Sequence, residues 1–372
     1  MFAIVTGGRG QDGQLMLKCL RERGYSTISI VRESSLATGS VPTQDFQFDA
    51  GCHVESFVNL YEESHVLSFL KSVAEKVRQI QLSTGSSSSQ VKIYHLMCEK
   101  QGFLSYQDPF LSIESSCRTT LNLLESIRVL REESDCCFSL IFSGSSEMFG
   151  DASYSPQNER TEFMPKSPYA VGKVIAHQLC AKYREFYDIR ACTCILYNHE
   201  SNLRPIGFVS RKIIRAVANY KLSGRSEVLS LGNLDAKRDW SHAKDIVEGI
   251  YLASEYENMQ DFVLAMGEAH TVREFVCYAF KAIGVNLNWK GGGIAEVGFH
   301  SINNDLLVKV DKKFFRESAE MPSLVGDINK ASTLLGWKKK YNFEEMIKDL
   351  VFKEIRLLSS QEAEMLKDSL CN

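Results

Sequence analysis

The stretch SPYAVGK, residues 167–173, places a tyrosine and a lysine four residues apart. Ser167 followed by Pro168 has the form of a helix N-cap and first helical residue. Tyr169 and Lys173 then share one helix face, one turn apart. An ammonium at that range lowers the pKa of a phenol and makes it a general base for an alcohol. The same spacing also describes an exposed aromatic–cation pair, so it needs a second signal. GSSEMFG at 144–150 follows the apolar run Phe138–Ser143 and contributes Ser145 and Glu147. In a doubly wound sheet, ligands bind at the carboxyl ends of such strands. Taken singly, Ser145 or Glu147 is a strand-end cap or a solvated side chain. Together with Tyr169 and Lys173 they form a catalytic set, in which Ser145 steadies an alcohol and Lys173 holds a ribose and tunes the phenol.

TGGRGQDG at 6–13 supplies the second signal, with Gly7, Gly10 and Gly13 between the first strand and the first helix. Backbone N–H groups at such a helix start favour a pyrophosphate, and glycines let it approach closely. The residue after the second strand selects the dinucleotide. An acidic side chain there would hold a ribose 2′-hydroxyl, but the chain offers Arg32, whose guanidinium suits a 2′-phosphate and favours NADP over NAD. Asp49, after the third strand, could reach an adenine amino group or simply cap a turn.

These residues require a frame. Short apolar runs at Phe2–Thr6, Ser26–Val31, Val91–Leu96, Phe138–Ser143 and 191–197 alternate with helical patterns at Gln14–Gly24, Glu62–Ile80, 112–132 and Tyr169–Tyr187. A third strand is expected to end at Phe48–Asp49. Fully apolar strands in βαβ alternation predict an α/β fold, a doubly wound parallel sheet covered by helices on both faces. The serine-rich stretch at 83–89 is expected to be a flexible surface loop. Beyond residue 200 the pattern becomes irregular, which suggests a smaller interleaved α/β lobe. The expected division is a nucleotide-binding domain over 1–200, with part of 230–265 returning to it, and a substrate lobe over 201–372.

Composition narrows the function. At 372 residues, 44% apolar and 24% charged, the chain can bury a large core. A net charge of -3 supplies no electropositive footprint for nucleic acid. No apolar run reaches the length of a membrane span. The opening strand leaves no room for a signal peptide, and eleven cysteines without a Cys-x-x-Cys pair suit free thiols and no metal site. The cytosol is the expected compartment.

The residues now carry a resemblance. TGGRGQDG, SSEMFG, SPYAVGK, LYNHES, FVSRKI, LGNLDAKRDWSHAKDIVEGI, VREF and LVGDINKASTLLGW resemble extended short-chain dehydrogenase/reductases, and more narrowly the GDP-mannose 4,6-dehydratase family. The resemblance implies tightly held NADP and conversion of GDP-mannose to GDP-4-dehydro-6-deoxymannose, an early step towards GDP-fucose. It implies that Tyr169 takes the proton of the sugar 4-hydroxyl, while Glu147 removes the C5 proton and protonates the departing 6-hydroxyl. It places Gln11, Asp12, Leu96, His199 and Arg204 beside the cofactor. It places Ser146, Asn198, Lys212, Asn233, Arg238, Arg316 and Glu320 beside the GDP-sugar, with a homodimer or homotetramer as the assembly.

The chain also departs from the family pattern. Glu33 stands where a second arginine is usual, Met97 for glycine, Leu111 for tyrosine, Gly207 for asparagine and Ser145 for threonine. An active dehydratase is therefore weighed against a diverged paralogue that binds or regulates a dehydratase, and against another nucleotide-sugar epimerase or reductase. The last two have no need of Glu147.

Overall fold

In the computed structural model, residues 1–31, 52–85, 89–97, 102–224, 227–315 and 324–370 are described. The strands in chain order are β1 (Phe2–Thr6), β2 (Ser26–Val31), β3 (His53–Phe57), β4 (Gln90–His95), β5 (Cys137–Ser145), β6 (Arg190–Leu196) and β7 (Asn198–Glu200). They continue with β8 (Leu229–Leu231), β9 (Lys237–His242), β10 (Phe262–Leu264), β11 (Ala269–Thr271), β12 (Leu287–Lys290), β13 (Val297–His300) and β14 (Leu306–Val310). The α-helices are α1 (Gln11–Glu22), α2 (Glu63–Thr84), α3 (Pro109–Glu133), α4 (Pro168–Tyr187) and α5 (Val209–Ser223). After them come α6 (Ala243–Glu255), α7 (Val272–Lys281), α8 (Asn329–Leu334) and α9 (Phe343–Leu370). The chain forms two compact units: Met1–Tyr197 with Ala243–Leu264 and Gly326–Lys338, and Asn198–His242 with Ala265–Val325 and Lys339–Asn372.

The first unit is built on a seven-stranded sheet in the order β10-β6-β5-β4-β1-β2-β3. All its pairings are parallel. Every residue of β1 and β2 is buried, as strands covered on both faces must be. One face packs against Val66, Phe69 and Val73 of α2, Leu123 and Ile127 of α3, and Ala176 and Cys180 of α4. The other packs against Met16 and Leu20 of α1, Ile246 and Ile250 of α6, and Trp337. This is the doubly wound sheet that the alternation predicts. Its order reverses between β1 and β4, the switch point where ligands bind in such folds.

In the second unit, α5, α7 and α9 share a core that includes Ile213, Val217, Phe275, Phe280, Met346 and Ile347. Beside them run a four-stranded sheet, β12-β13-β14-β8, and a three-stranded one, β11-β9-β7. Asp239 of β9 is buried and accepts from the backbone N–H groups of Met266 (2.6 Å) and Gly267 (2.9 Å), which fixes the turn after residue 264.

Several boundaries differ from expectation. The third described strand is His53–Phe57, a few residues beyond the expected end at Phe48–Asp49, and those two lie outside the described residues. Ser83 and Thr84 complete α2 rather than begin a loop, with the Thr84 hydroxyl donating to Ile80 O at 2.7 Å. Residues 86–88 lie outside the described set. Among the described residues, no helix is long and apolar enough to cross a membrane.

Trp337 and Trp240 are both 1% exposed and sit in the cores of their respective units. Trp337 also donates its indole N–H to Asp245 O at 2.8 Å, and Gly249 leaves room for the ring. Trp337→Ala should therefore lower the unfolding free energy by about 3–5 kcal/mol, read from urea denaturation. A loss under about 1 kcal/mol would show that the ring is not a core element.

Candidate functional site

The carboxyl end of β5 turns directly into a 3₁₀ turn, Ser146–Met148, with Ser145 as its cap. The Ser145 hydroxyl accepts from the Glu147 N–H at 3.2 Å. Ser145 is half-buried, Ser146 is 5% exposed and Glu147 is exposed. The helix that faces this turn starts as the sequence predicts. Ser167 accepts from the Ala170 N–H at 3.1 Å, and Pro168 follows in the first turn. Ser167 also donates to Glu147 Oε2 at 3.4 Å. Gly172 allows α4 to lie close to α3, since a Cβ there would stand 3.0 Å from Ile113 Cα. Tyr169, Lys173, Ser145 and Glu147 are thus brought to one end of the sheet.

Lys173 is 1% exposed. Its ammonium donates to Ser143 O at 2.7 Å and lies 4.6 Å from the centroid of the Phe142 ring. It stands 5.8 Å from the Tyr169 ring centroid.

Behind Lys173 runs a hydrogen-bonded chain that sequence reading does not single out. The Thr6 hydroxyl accepts from the N–H groups of Leu96 (3.1 Å) and Met97 (3.2 Å). Its own proton is therefore directed to His95 Nδ1, 2.8 Å away. His95 then carries its proton on Nε2 and donates to Thr119 Oγ1 at 2.9 Å, and Thr119 donates to Ser115 O at 2.8 Å. Ser143 Oγ donates to His95 O at 3.1 Å, which joins this chain to the strand that holds Lys173. Burial, and then the charge of Lys173, push the His95 pKa from 6.5 to about 3.

The glycine loop fits a dinucleotide pyrophosphate. Gly7 has φ +70°, and a Cβ on it would lie 3.1 Å from Met97 Cα. A Cβ on Gly13 would lie 2.2 Å from Gly7 O. Gly10 caps α1 without a side-chain hydrogen bond, so the first turn presents backbone N–H groups. Gln11 and Asp12 begin α1 and bond to each other at 3.1 Å, Gln11 Nε2 donating to Asp12 Oδ1. Leu96 leaves β4 beside the same loop, its N–H bonded to Thr6. The Met97 side chain packs against the hydrophobic core, so the residue that replaces the family glycine is anchored there. Arg32 and Asp49 lie outside the described residues, as does Glu33.

The second unit holds the other expected residues. A cavity of about 640 Å³ runs along one face of α5, lined by Lys212, Arg215, Asn219 and Ser223 together with Glu227 and Ser230. Lys212 donates to Ser230 O at 2.6 Å, and burial lowers its pKa, a condition that an anionic ligand would relieve. Arg215 is absent from the sequence-predicted set, although it follows Lys212 by one helical turn. It pairs at 2.6 Å with the buried Glu354, which also accepts from Arg211 (2.5 Å) and Asn202 (2.9 Å).

Asn198 and the buried His199 belong to β7. Arg204 donates to His199 O at 3.0 Å, and its guanidinium lies 4.0 Å from the Phe208 ring centroid. The Asn233 side-chain oxygen accepts from Asp235 N at 2.9 Å, and Arg238 donates to Lys237 O at 2.6 Å. Arg316 and Glu320 lie outside the described residues. At Gly207 a Cβ would meet nothing within 4 Å, and Leu111 sits in the first turn of α3.

A buried neutral histidine leaves a pH signature. Between about pH 6.5 and 3 the unfolded chain binds a proton at His95 that the folded chain refuses, so stability falls as the pH drops through that window. His95→Gln cannot titrate. Its urea midpoint should fall less steeply from pH 7 to pH 5 than that of the unaltered protein, and equal slopes would rule out a buried neutral His95.

Comparison with known proteins places this geometry. A family profile described as GDP-mannose 4,6 dehydratase matches residues 4–350. A curated GDP-mannose 4,6 dehydratase of Dictyostelium discoideum is 36% identical, over 96% of this chain and 97% of its own length. That of Homo sapiens is 35% identical, over 96% of this chain and 92% of its own. Among solved structures, the UDP-glucose 4-epimerase of Thermus thermophilus in complex with NAD matches at a TM-score of 0.69 and 20% identity, covering 96% of this chain and 99% of that one, which shows the shared fold. From its first strand to its last helix, the chain belongs to the GDP-mannose 4,6 dehydratase family.

Proposed function

We propose that the protein is an NADP-dependent lyase that converts GDP-mannose into GDP-4-dehydro-6-deoxymannose. A bound nicotinamide would supply reversible two-electron chemistry at the sugar, so that the net reaction is loss of water. Gly7, Gly10 and Gly13 and the first turn of α1 would hold its pyrophosphate. The choice of NADP over NAD rests on Arg32 after β2.

Each proton then has a carrier. Tyr169, as phenolate, takes the proton of the 4-hydroxyl, and Lys173 stabilises the charge on the phenol oxygen. Ser145 hydrogen-bonds the same sugar oxygen. Once C4 is a ketone, the C5 proton is acidic. Glu147 removes it and passes a proton to the departing 6-hydroxyl. Tyr169 gives the proton it holds to C5 as C6 is reduced, which returns the phenol to its starting state. Lys212 and Arg215 suit a diphosphate, with Asn219 and Glu227 further along the cavity.

The observation that carries this proposal is the buried ammonium of Lys173, held beside Tyr169 while Glu147 stands on the adjoining turn. All four positions retain working groups, which supports an enzyme over a ligand-binding partner. Glu147 supports elimination over epimerisation. Exposed apolar side chains on α3 (Phe110, Leu121) and α4 (Val171, Ile175, Phe186) support assembly as a homodimer or homotetramer.

Purified protein with GDP-mannose and NADP should yield a 4-keto product that carries solvent deuterium at C5. Glu147→Gln should lower kcat by about a hundredfold or more with little change in KM. Normal elimination by that variant, or GDP-sugar binding without turnover in the unaltered protein, would remove the proposal.

A further inference from the structure

We infer that Ser167 is a positioning residue for Glu147. The inference rests on Glu147 as the group that moves the C5 proton.

A serine hydroxyl has one proton to give and lone pairs to accept with. At Ser167 the accepting side is used by the Ala170 N–H at 3.1 Å, the bond that starts α4. The proton is directed to Glu147 Oε2, 3.4 Å away. A bond of that length is common at a catalytic group before substrate tightens the site. The Glu147 backbone N–H is held separately by Ser145 Oγ at 3.2 Å. The acid–base side chain is thus tied at its root to the end of β5 and at its tip to the start of α4. Two residues after Ser167, the same helix turn presents Tyr169. The α4 N-terminus also carries the partial positive end of a 20-residue helix, which favours the ionised carboxylate. One hydroxyl therefore sets the base that takes the C5 proton relative to the base that takes the 4-hydroxyl proton.

The capping and positioning roles separate by substitution. Aspartate caps a helix as well as serine does, but it is ionised and has no proton to donate. Threonine keeps both functions. Alanine keeps neither.

In the full-length protein with GDP-mannose and NADP, Ser167→Asp should hold the melting temperature and the KM for GDP-mannose. Its kcat should fall about tenfold or more, and deuterium should enter C5 correspondingly more slowly. Ser167→Thr should restore kcat to within about threefold, and Ser167→Ala should lose both kcat and melting temperature. Unchanged kcat in Ser167→Asp, or no rescue by threonine, overturns the inference. If the unaltered protein binds GDP-mannose without turning it over, the proposed function fails separately. The carboxyl ¹³C shift of Glu147 then decides: it should move in Ser167→Ala and stay in place in Ser167→Thr, and any other pattern ends the inference.

Discussion

An ammonium sunk at the carboxyl end of the parallel sheet constrains everything around it. Moving such a charge out of water costs several kcal/mol unless dipoles replace the lost hydration. Lys173 meets the Ser143 carbonyl at 2.7 Å and the π face of Phe142 at 4.6 Å. That carbonyl and π face stabilise the ammonium, and its charge acts on His95. Burial, and then this charge, keep His95 neutral, and the Thr6 proton directed at Nδ1 leaves the ring proton on Nε2. Thr6 is oriented for this by accepting from Leu96 and Met97, bonds that also pin the turn after β4 to the end of β1. His95 thus links the end of β1 to the strand whose carbonyl accepts from the ammonium.

The second unit resolves a buried charge of the opposite sign. The Glu354 side chain is 1% exposed, and Arg211 and Arg215 both reach it. One carboxylate faces two guanidiniums, and the cavity lining holds Lys212 and Arg215 together with Glu227. Such a cluster is stable because its members are paired, and removing Glu354 would leave two partly buried cations uncompensated. Helix α9 thereby acts on the cavity through Glu354, although no residue of α9 is among the described lining residues.

Much of this is legible in the sequence because it depends on local spacing. Ser-Pro before an aromatic, and a tyrosine and lysine one turn apart, are consequences of helix geometry, and α4 starts where that spacing says it must. Apolar strands in alternation point to the sheet. His95 is not legible: nothing local marks a histidine at a strand end as the link between Thr6 and Thr119, which are 89 and 24 residues away. Glu354 is hidden for the same reason, since Arg211 on α5 is 143 residues distant in the sequence. Arg215 could be found by extending the helical face of Lys212 by one turn. Departures from the family pattern also read differently in three dimensions. Met97 packs its side chain into the core, and Gly207 leaves space that a larger residue would fill without displacing a neighbour.

Burial of the four reactive side chains falls in an order that chemistry explains. Lys173 touches no reacting atom in the proposed steps, and its value lies in an unscreened charge, so it is buried at 1% exposure. Tyr169, in the proposed steps, presents one oxygen to the sugar while its ring stays buried, and it is 7% exposed. Ser145, which both caps a turn and offers a hydroxyl, is half-buried. Glu147 is exposed, which suits a carboxylate proposed to move a proton between two substrate atoms, since burial without a paired cation would raise its pKa. An exposed carboxylate is free to rotate, however, and rotation disperses reactivity. Contacts from Ser145 at its backbone and Ser167 at its tip restrict that freedom without removing the group from water.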